Sequence, residues 1–331
     1  MPNRIRIVQY GLGPIGTAVA RHVVERGGLE LVGAVDIDPA KVGKDAGEVI
    51  RLGQLLGFPV TATLSQTLER VKADVALHTT SSYFDLFQSQ IIEILEADLD
   101  IVSTAEELSF PWRDHPEAAA EIDAIARRAG KTVLGTGVNP GFLMDALPLF
   151  LTAICQRVEH IEVTRIINAS TRRGPFQAKI GAGMRLEAFE AKMAAGRMGH
   201  VGLPESMAMI FDTLGKKMVR YESTVEPVLA EASIQTEHLQ VQAGQVRGLK
   251  QVARGYREEG EFVVLTFAAA LDAGEDGDTI KISGKPDLKV TLKGTNGDLA
   301  TVAMAVNAVW RVSEASPGLV TMRDLPIVIA R

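Results

Sequence analysis

The chain has 331 residues, of which 46 % are hydrophobic and 23 % are charged. A single hydrophobic core stops growing at about 250–300 residues, so this length favours two domains, and the composition excludes a disordered chain. The formal net charge of −6 argues against a dedicated nucleic-acid binder and against a protein that binds an anionic membrane surface.

The first part of the chain alternates strand patterns with helical patterns. Strands are predicted at residues 5–9, 29–35, 60–63, 74–79, 100–103 and 132–134, and helices at 14–26, 66–71, 84–96 and 116–129. Asp114 and Glu117 have the spacing of a capping box at the last of these helices, and Gly130 is predicted to end it. Such alternation is typical of a parallel sheet covered by helices on both faces.

The pattern changes after about residue 150. Strands are predicted at 158–168, 219–228, 245–257, 261–271, 279–283 and 288–293, and helices at 186–195, 204–214 and 299–312. Sequential strands joined by Gly/Asp turns indicate a largely antiparallel sheet in a mixed α+β domain. We therefore expect an α/β domain formed by residues 1–141 and 299–331, to which the last helix returns, and a substrate-binding domain formed by residues 142–298.

A dinucleotide fingerprint follows the first predicted strand. It is a G-x-G-x-x-G motif, formed by Gly11, Leu12, Gly13, Pro14, Ile15 and Gly16. A helix and a second strand come next, and that strand ends at Asp36, 20 residues after Gly16, where a Rossmann fold places the carboxylate for the ribose. The first glycine permits a tight turn, the second a close approach of the pyrophosphate, and the third close packing of helix and strand. The motif predicts a Rossmann domain that binds NAD or NADP.

Asp36 favours NAD, because a 2′-phosphate would lie against its carboxylate. Lys41 and Lys44 follow closely and provide cations for the phosphate of NADP. The alternative is that both lysines belong to a solvated loop. NAD is preferred, and NADP stays open.

The later strands of the sheet bring polar residues to the same edge, because ligands of open α/β sheets bind at the carboxyl ends of the strands. Thr79, Thr80 and Ser81 follow one strand and are candidates for contacts with the cofactor. His78 precedes them, and a structural role is expected for it rather than acid–base catalysis.

Two adjacent carboxylates, Glu106 and Glu107, follow the strand at 100–103. Their neighbours include Ala105, Leu108 and Phe110, so a carboxylate facing the cleft here would be partly desolvated and suited to proton transfer. Neighbours in an extended segment point in opposite directions, so only one of the pair is expected to face the cleft. The alternative is a solvated acidic pair at the start of a helix.

A glycine-rich connection at 135–142 (GTGVNPGF) marks the predicted domain junction. It is expected to place Asn139 beside the nicotinamide and Phe142 against the substrate, or to act as a hinge, and the two roles are compatible. In the second domain, Asn168 and His200 are predicted to reach the substrate pocket.

Other kinds of chemistry lack their motifs. No Tyr-x-x-x-Lys or Gly-x-Ser-x-Gly motif is present, and Cys155 is the only cysteine, which excludes an internal disulfide and a multi-cysteine zinc site. No metal is expected. The lone cysteine and the absence of a signal peptide or an apolar span predict a cytoplasmic protein that does not bind membranes or nucleic acid.

Five blocks together resemble the 2,4-diaminopentanoate dehydrogenases and the related native amine dehydrogenases. They are residues 11–16 (GLGPIG), 105–108 (AEEL), 135–142 (GTGVNPGF), 199–202 (GHVG) and 298–301 (DLAT). The resemblance covers nearly the whole chain, and it implies the two-domain build of dihydrodipicolinate reductase and a homodimer formed by the second domain. The region 163–175 lacks the His-His pair of that reductase, which counts against a dicarboxylate substrate.

The resemblance also implies reversible NAD(P)-dependent oxidative deamination of an amine that needs no α-carboxylate; in reverse, a ketone or aldehyde and ammonia give the amine. It places the catalytic glutamate at Glu106, with Glu107 as the alternative. It places Thr301 and Phe142 in the substrate pocket. The remaining residues expected to shape that pocket are Leu143, Ile166, Asn168, Phe176 and His200.

Two other functions remain open. In an enzyme for diamino acids or other amino-acid-derived amines, Arg165, Arg172 or Arg173 would bind a carboxylate of the substrate. A non-catalytic NAD(P) sensor is the more remote alternative. Such sensors usually carry a DNA-binding or partner-binding module, and no such module is expected in this sequence.

Overall fold

The computed structural model describes residues 4–196, 198–274 and 276–331. The chain forms two compact units. Unit 1 comprises Met1–Phe142 and Asn296–Arg331, and unit 2 comprises Leu143–Thr295. Each unit has its own six-stranded sheet.

Strands and helices are numbered along the chain. The strands are β1 (Ile5–Tyr10), β2 (Leu29–Val35), β3 (Val75–His78), β4 (Asp100–Ser103), β5 (Thr132–Gly135), β6 (Arg157–Asn168), β7 (Arg220–Leu229), β8 (Ile234–Gln235), β9 (Gln240–Val241), β10 (Val246–Arg257), β11 (Gly260–Ala270), β12 (Gly277–Lys285), β13 (Leu288–Leu292) and β14 (Gly318–Val320). The helices are α1 (Pro14–Glu25), α2 (Ala46–Val49), α3 (Leu64–Leu68), α4 (Phe84–Glu96), α5 (Pro116–Ala129), α6 (Ala146–Leu151), α7 (Gly174–Lys179), α8 (Leu186–Ala194), α9 (Leu203–Thr213) and α10 (Gly297–Glu314).

The sheet of unit 1 is parallel, with the strand order β14-β5-β4-β3-β1-β2. Side chains alternate between its two faces: Ile7 packs into the core beneath α1 and α10, and Val8 packs into the core beneath α4 and α5. The chain leaves β1 toward β2 on one side and later enters β3 on the other. The carboxyl end of β1 is therefore the switch point at which such sheets bind ligands.

Several details of unit 1 differ from the sequence-based expectation. Residues 60–63 form no strand; Thr61 makes only an isolated bridge to Val35, because the chain turns into α3 at Leu64. The short strand β14, which pairs with β5, was not predicted. At α5 the predicted capping box is wrong: His115 is the N-cap, since Pro116 occupies the first helical position, while Gly130 ends the helix in the left-handed conformation as predicted.

The sheet of unit 2 has the order β13-β12-β6-β11-β10-β7. Most neighbours are antiparallel, in agreement with the predicted largely antiparallel sheet, but β6 and β11 pair in parallel. Helix α9 packs closely on this sheet, because a Cβ at Gly255 would lie 2.5 Å from Met207 and Phe211. Alternate residues of β6, Ile161 and Val163 among them, are fully buried.

The predicted fold class, a Rossmann domain joined to a mixed α+β domain with a largely antiparallel sheet, is confirmed. Across the described ranges, no helix is long and apolar enough to span a bilayer.

Candidate functional site

The predicted glycine loop follows β1 and begins α1. Gly11 has a φ of +90°, where glycine is strongly favoured, and its N–H donates to the carbonyl of Val35 at 2.8 Å. A Cβ at Gly16 would lie 2.0 Å from the carbonyl oxygen of Gly11 and 2.4 Å from Thr79 Oγ1. Backbone contact alone therefore requires glycine at the first and third positions of the motif.

Gly13 is different, because a Cβ at this position would meet no protein atom within 4 Å. It is the N-cap of α1, and because it has no side chain, it accepts no capping hydrogen bond from the first turn of the helix. The first turn of α1 thus faces an open cradle that a side chain at Gly13 would fill. The positive end of the helix dipole and the N–H groups there suit a pyrophosphate, so the loop fits a dinucleotide.

Asp36, immediately after β2, is bound to this loop. One carboxylate oxygen accepts the N–H of Leu12 at 2.7 Å, and the other accepts the N–H of Asp38 at 2.8 Å. The side chain is only 10 % exposed. The acid is thus fixed beside the loop, at the position expected for a ribose hydroxyl.

Lys41 pairs with two carboxylates, Asp36 at 3.1 Å and Asp38 at 3.4 Å. Partial burial lowers the pKa of Lys41, but the hydrogen bonds and negative charges of both aspartates outweigh it and raise the pKa overall. Lys41 is therefore a cation that already compensates Asp36. Lys44 follows in the same loop and donates its N–H to the carbonyl of Lys41.

The polar end of β3 supports the glycine loop. Thr79 Oγ1 donates to the carbonyl of Gly11 at 2.9 Å, and the buried Gln9 donates from Nε2 to both that carbonyl and Thr79 Oγ1. Thr79, predicted to contact the cofactor, thus lies against the loop itself. Sequence reasoning missed Gln9, although a polar residue inside an apolar strand is a usable signal of such a role.

His78 is fully buried and has partners at both ring nitrogens. Nδ1 lies 2.8 Å from Ser103 Oγ, and Nε2 lies 2.8 Å from both Gln90 Oε1 and Thr80 Oγ1. Burial lowers the pKa of His78 to about 4. The ring is neutral at pH 7, and its bonds join β3 to β4, which agrees with the structural role expected for it.

The other polar residues after β3 lie nearer the surface. Thr80 is exposed, and its hydroxyl binds Gln90 and His78, while Ser81 Oγ accepts the N–H of Tyr83 at 3.2 Å. Both residues lie in the segment that leads from β3 to α4.

Glu106 and Glu107 lie in a short 3₁₀ turn after β4. Glu107 Oε2 accepts the N–H of Phe84, the first residue of α4, at 2.5 Å, and lies 3.5 Å from His115 Nε2. Glu106 is half-buried, between the buried residues Ala105 and Leu108. The carboxylate of Glu107 is thus committed to a helix terminus and a histidine.

The glycine-rich connection after β5 packs against the start of α10. The N–H of Val138 donates to Thr301 Oγ1 at 3.3 Å, and Asn139 is 9 % exposed. Gly141 is required, because it has a φ of +119° and its Cβ would lie 2.5 Å from the N of Gly137. Phe142, the last residue of this segment of unit 1, is partly exposed.

Five predicted pocket residues belong to unit 2. Leu143 is 1 % exposed, and Ile166 is 39 % exposed on β6. Phe176 lies under the guanidinium of Arg172, 4.6 Å from the ring centroid, and His200 stacks on Phe267 at 4.4 Å. A cavity of about 430 Å³ is lined by Asn168, Thr171, Gly274, Asp276, Lys293 and Gly294.

Arg165, considered above as a ligand for a substrate carboxylate, is buried in unit 2. Its guanidinium lies 3.0 Å from Asp278, and both side chains are less than 5 % exposed. A second guanidinium nitrogen donates to the carbonyl of Thr295 at 3.4 Å. The guanidinium is therefore committed to internal partners.

The described side chains include no group of three or more His, Cys, Asp or Glu arranged to hold a metal ion.

Two family models match parts of this chain. Residues 142–331 match the 2,4-diaminopentanoate dehydrogenase C-terminal domain, and residues 5–93 match the N-terminus of dihydrodipicolinate reductase. A 2,4-diaminopentanoate dehydrogenase of Acetoanaerobium sticklandii is 30 % identical over 98 % of this chain and 94 % of the relative. An amine dehydrogenase of Streptomyces virginiae is 24 % identical over 98 % of this chain and 96 % of the relative.

The structure of an amine dehydrogenase from Mycobacterium smegmatis has the same fold. It superposes with a TM-score of 0.89 at 24 % identity and covers 100 % of this chain and 98 % of that chain.

Proposed function

This chain belongs to the 2,4-diaminopentanoate dehydrogenase family, and from that membership we infer that it is an NAD(P)-dependent oxidoreductase acting on the CH–NH₂ group of amines. The observation that carries the assignment to particular residues is the placement of Glu106. It is a half-buried carboxylate at the same sheet edge as the open cradle at Gly13.

The chain's own residues would hold the cofactor. The first turn of α1 would bind the pyrophosphate, Asp36 would accept a ribose hydroxyl, and Thr79, Thr80, Ser81 and Asn139 are the further residues proposed to contact the cofactor. The bound cofactor would supply reversible hydride transfer with the amine carbon. NAD is the preferred cofactor, because Lys41 is engaged by two carboxylates and is not free to bind a 2′-phosphate without leaving them.

Glu106 supplies the acid–base chemistry. Amines are ammonium ions at neutral pH, so Glu106 binds the cation and removes a proton, which leaves a neutral nitrogen able to stabilise the developing iminium. Glu106 then orients the water that hydrolyses the iminium. The balance is R₂CH–NH₃⁺ + NAD(P)⁺ + H₂O giving R₂C=O + NH₄⁺ + NAD(P)H + H⁺. Proton transfer by such a group contributes about 10²–10⁴-fold to the rate.

The preferred substrate is a small amine, or a ketone or aldehyde with ammonia in reverse. The residues proposed to contact the substrate are Phe142 and Thr301, together with Leu143, Ile166, Asn168, Phe176 and His200. Most of these side chains are apolar, which suits a short alkyl chain. The family resemblance also supports a homodimer, which light scattering after size-exclusion chromatography would test.

A second candidate substrate is 2,4-diaminopentanoate or a related amino acid. It is favoured by the 30 % identity to the dehydrogenase of that name and by Arg172, which lies over Phe176, one of the predicted pocket residues. A guanidinium in this position would pair with the carboxylate of such a substrate.

The test is NAD(P)H oxidation with a panel of short ketones and aldehydes, with and without ammonium, beside NAD(P)⁺ reduction with 2,4-diaminopentanoate. Ammonium-dependent turnover of simple ketones supports the preferred substrate class. Activity confined to the diamino acid supports the second. Ketone reduction that ignores ammonium would replace amine chemistry with alcohol chemistry, and tight cofactor binding without any turnover would favour the sensor.

A further inference from the structure

Glu107 connects two segments that leave neighbouring strands. Its carboxylate accepts the N–H of Phe84 at the start of α4, which follows β3, and its own N–H donates to the carbonyl of Ser82 at 3.3 Å. Both contacts attach the turn after β4 to the segment that joins β3 and α4. The side chain is 20 % exposed, so the attachment is partly shielded from water.

His115 completes this arrangement from the start of α5. Its Nε2 lies 3.5 Å from Glu107 Oε2, and its ring stacks on Phe84 with the centroids 4.4 Å apart and the planes 16° apart. Phe84 itself is 2 % exposed. One carboxylate is therefore held by a helix N-terminus and a histidine whose ring is fixed by packing.

The other end of the turn is fixed as well. Ser109 donates from both its N–H and its hydroxyl to the carbonyl of Glu106, at 3.1 Å and 2.8 Å. On the side of β5 the backbone is in close contact, since a Cβ at Gly135 would lie 2.4 Å from the carbonyl carbon of Leu108. The backbone of Glu106 thus lies between two anchored points.

We propose that Glu107 is a positioning residue that fixes the carboxylate of Glu106 for proton transfer, through its hydrogen bond to Phe84 and its contact with His115. This inference rests on the proposed catalytic role of Glu106. The hydrogen bonds of Glu107 with Phe84 and Ser82 hold the backbone of the turn in place. The side chain of Glu106 therefore extends from a Cα atom whose position is fixed. Displacing a reacting group by about 1 Å can cost on the order of 10²-fold in rate.

The experiment compares three substitutions. Glu107→Ala removes both contacts and is expected to lower kcat on the order of 10- to 100-fold, with the KM for the amine and the Kd of NADH, measured by fluorescence titration, nearly unchanged. Glu107→Gln keeps an oxygen acceptor for the N–H of Phe84 and is expected to restore most of kcat. His115→Phe keeps a ring on Phe84 but removes the Nε2 contact, and a smaller loss of kcat is expected.

Asp123 provides a matched control in unit 1. Its carboxylate also accepts a backbone N–H, from Leu319 at 2.9 Å, and pairs with a cation, Arg127 at 2.7 Å, but it lies beside β14 at the edge of the sheet. Asp123→Ala should therefore lower the melting temperature about as much as Glu107→Ala while leaving kcat unchanged.

The outcomes separate this inference from the proposed function. If Glu106→Gln is inactive while Glu107→Ala keeps the wild-type kcat, the positioning role is wrong and the proposed function stands. If Glu107→Gln is as inactive as Glu106→Gln, Glu107 does chemistry itself and the positioning role is also wrong. If Glu106→Gln retains full turnover, the proposed catalytic role of Glu106 is wrong, and the positioning role of Glu107 fails with it, while the amine dehydrogenase activity itself stands. A kcat that falls equally in Asp123→Ala would show a general stability effect and overturn the inference.

Discussion

The loop after β1 and the turn after β4 lie at the same edge of one sheet, but different interactions hold them. The loop is shaped by its backbone: glycines at 11 and 16 are required because a side chain there would meet main-chain atoms of the loop and of Thr79. The turn is held by side chains, those of Glu107, His115 and Ser109. The proposed binding loop thus depends on backbone shape, whereas the position of the proposed reactive group depends on side-chain contacts.

The end of β3 lies between the two and contacts both. Thr79 supports the glycine loop, while His78 binds Ser103 at the end of β4. The two regions are therefore coupled through one buried polar strand end. Changes in the loop should alter cofactor binding, changes in the turn should alter turnover, and changes in His78 should alter the stability of the edge that carries both.

The largest effect is expected from Glu106→Gln. The amide cannot take a proton from the substrate ammonium, so kcat should fall by about 10²–10⁴-fold, while the Kd of NADH stays at its wild-type value. Steady-state kinetics with ammonium and a responsive ketone, together with fluorescence titration of NADH, measure the two quantities. If Glu106→Gln lowers the affinity for NADH as much as it lowers kcat, the loop after β1 and the turn after β4 do not have the separate roles proposed for them.

His78 predicts a pH dependence of stability. Its pKa is about 4 in the folded protein, against 6.5 as the ordinary value, because the ring is buried. The unfolded chain binds the proton more readily, so this contribution to stability is fully present above pH 6.5 and is lost as the pH falls toward 4. The shift corresponds to about 3 kcal/mol of unfolding free energy.

Urea unfolding of the wild type between pH 7.5 and 4.5 measures this dependence. His78→Asn should show a shallower dependence in the same range, although it is less stable at pH 7. If the unfolding free energy changes with pH equally in the two proteins, His78 is not the group responsible for the pH dependence.

The difference between the two regions also explains what the sequence could predict. The glycine loop and Asp36 could be predicted because the strand, the glycines, the helix and the acidic residue all occur within the first 36 residues. The conformation that each of them requires is set by neighbours in the sequence. The contacts of Glu107 could not be foreseen, since Phe84, whose N–H its carboxylate accepts, lies 23 residues earlier in the chain. The role of Arg165 could not be foreseen for the same reason, because Asp278 lies 113 residues away. The choice of Glu106 as the reactive carboxylate stays a prediction.

The secondary structure could likewise be predicted where it depends on neighbouring residues and not where it depends on distant ones. Helix α5 was placed correctly at Pro116–Ala129, but its cap was not, because the proline at the first position outweighed the spacing of Asp114 and Glu117. The parallel pairing of β6 with β11 joins strands separated by three helices and four other strands, and no local pattern reports such a crossover. Strand β14 has only three residues, too few for a periodicity to be read.

Two glycine substitutions separate the role of the loop in stability from its role in cofactor binding. Gly16→Ala places a Cβ against main-chain atoms and should cost about 1–3 kcal/mol of stability as well as cofactor affinity. Gly13→Ala enters open space, so it should leave the unfolding free energy nearly unchanged while weakening NADH binding. Urea unfolding and NADH titration measure both, with Gly27→Ala as a control, since its Cβ would meet nothing within 4 Å. Full NADH affinity in Gly13→Ala would show that the cradle does not receive the pyrophosphate.

The smallest effect concerns the choice of cofactor. Asp36→Asn keeps an oxygen to accept the N–H of Leu12 but removes the charge that repels a 2′-phosphate, and it weakens the hold on Lys41. The ratio of kcat/KM for NADH over NADPH should therefore fall by about tenfold, equivalent to about 1.4 kcal/mol. Adding Lys41→Ala should reverse part of that gain, because the released lysine is the expected partner of the phosphate. If Asp36→Asn leaves the ratio unchanged, Asp36 serves only to brace the glycine loop, and the loop would then be set by the backbone without selecting between the two cofactors.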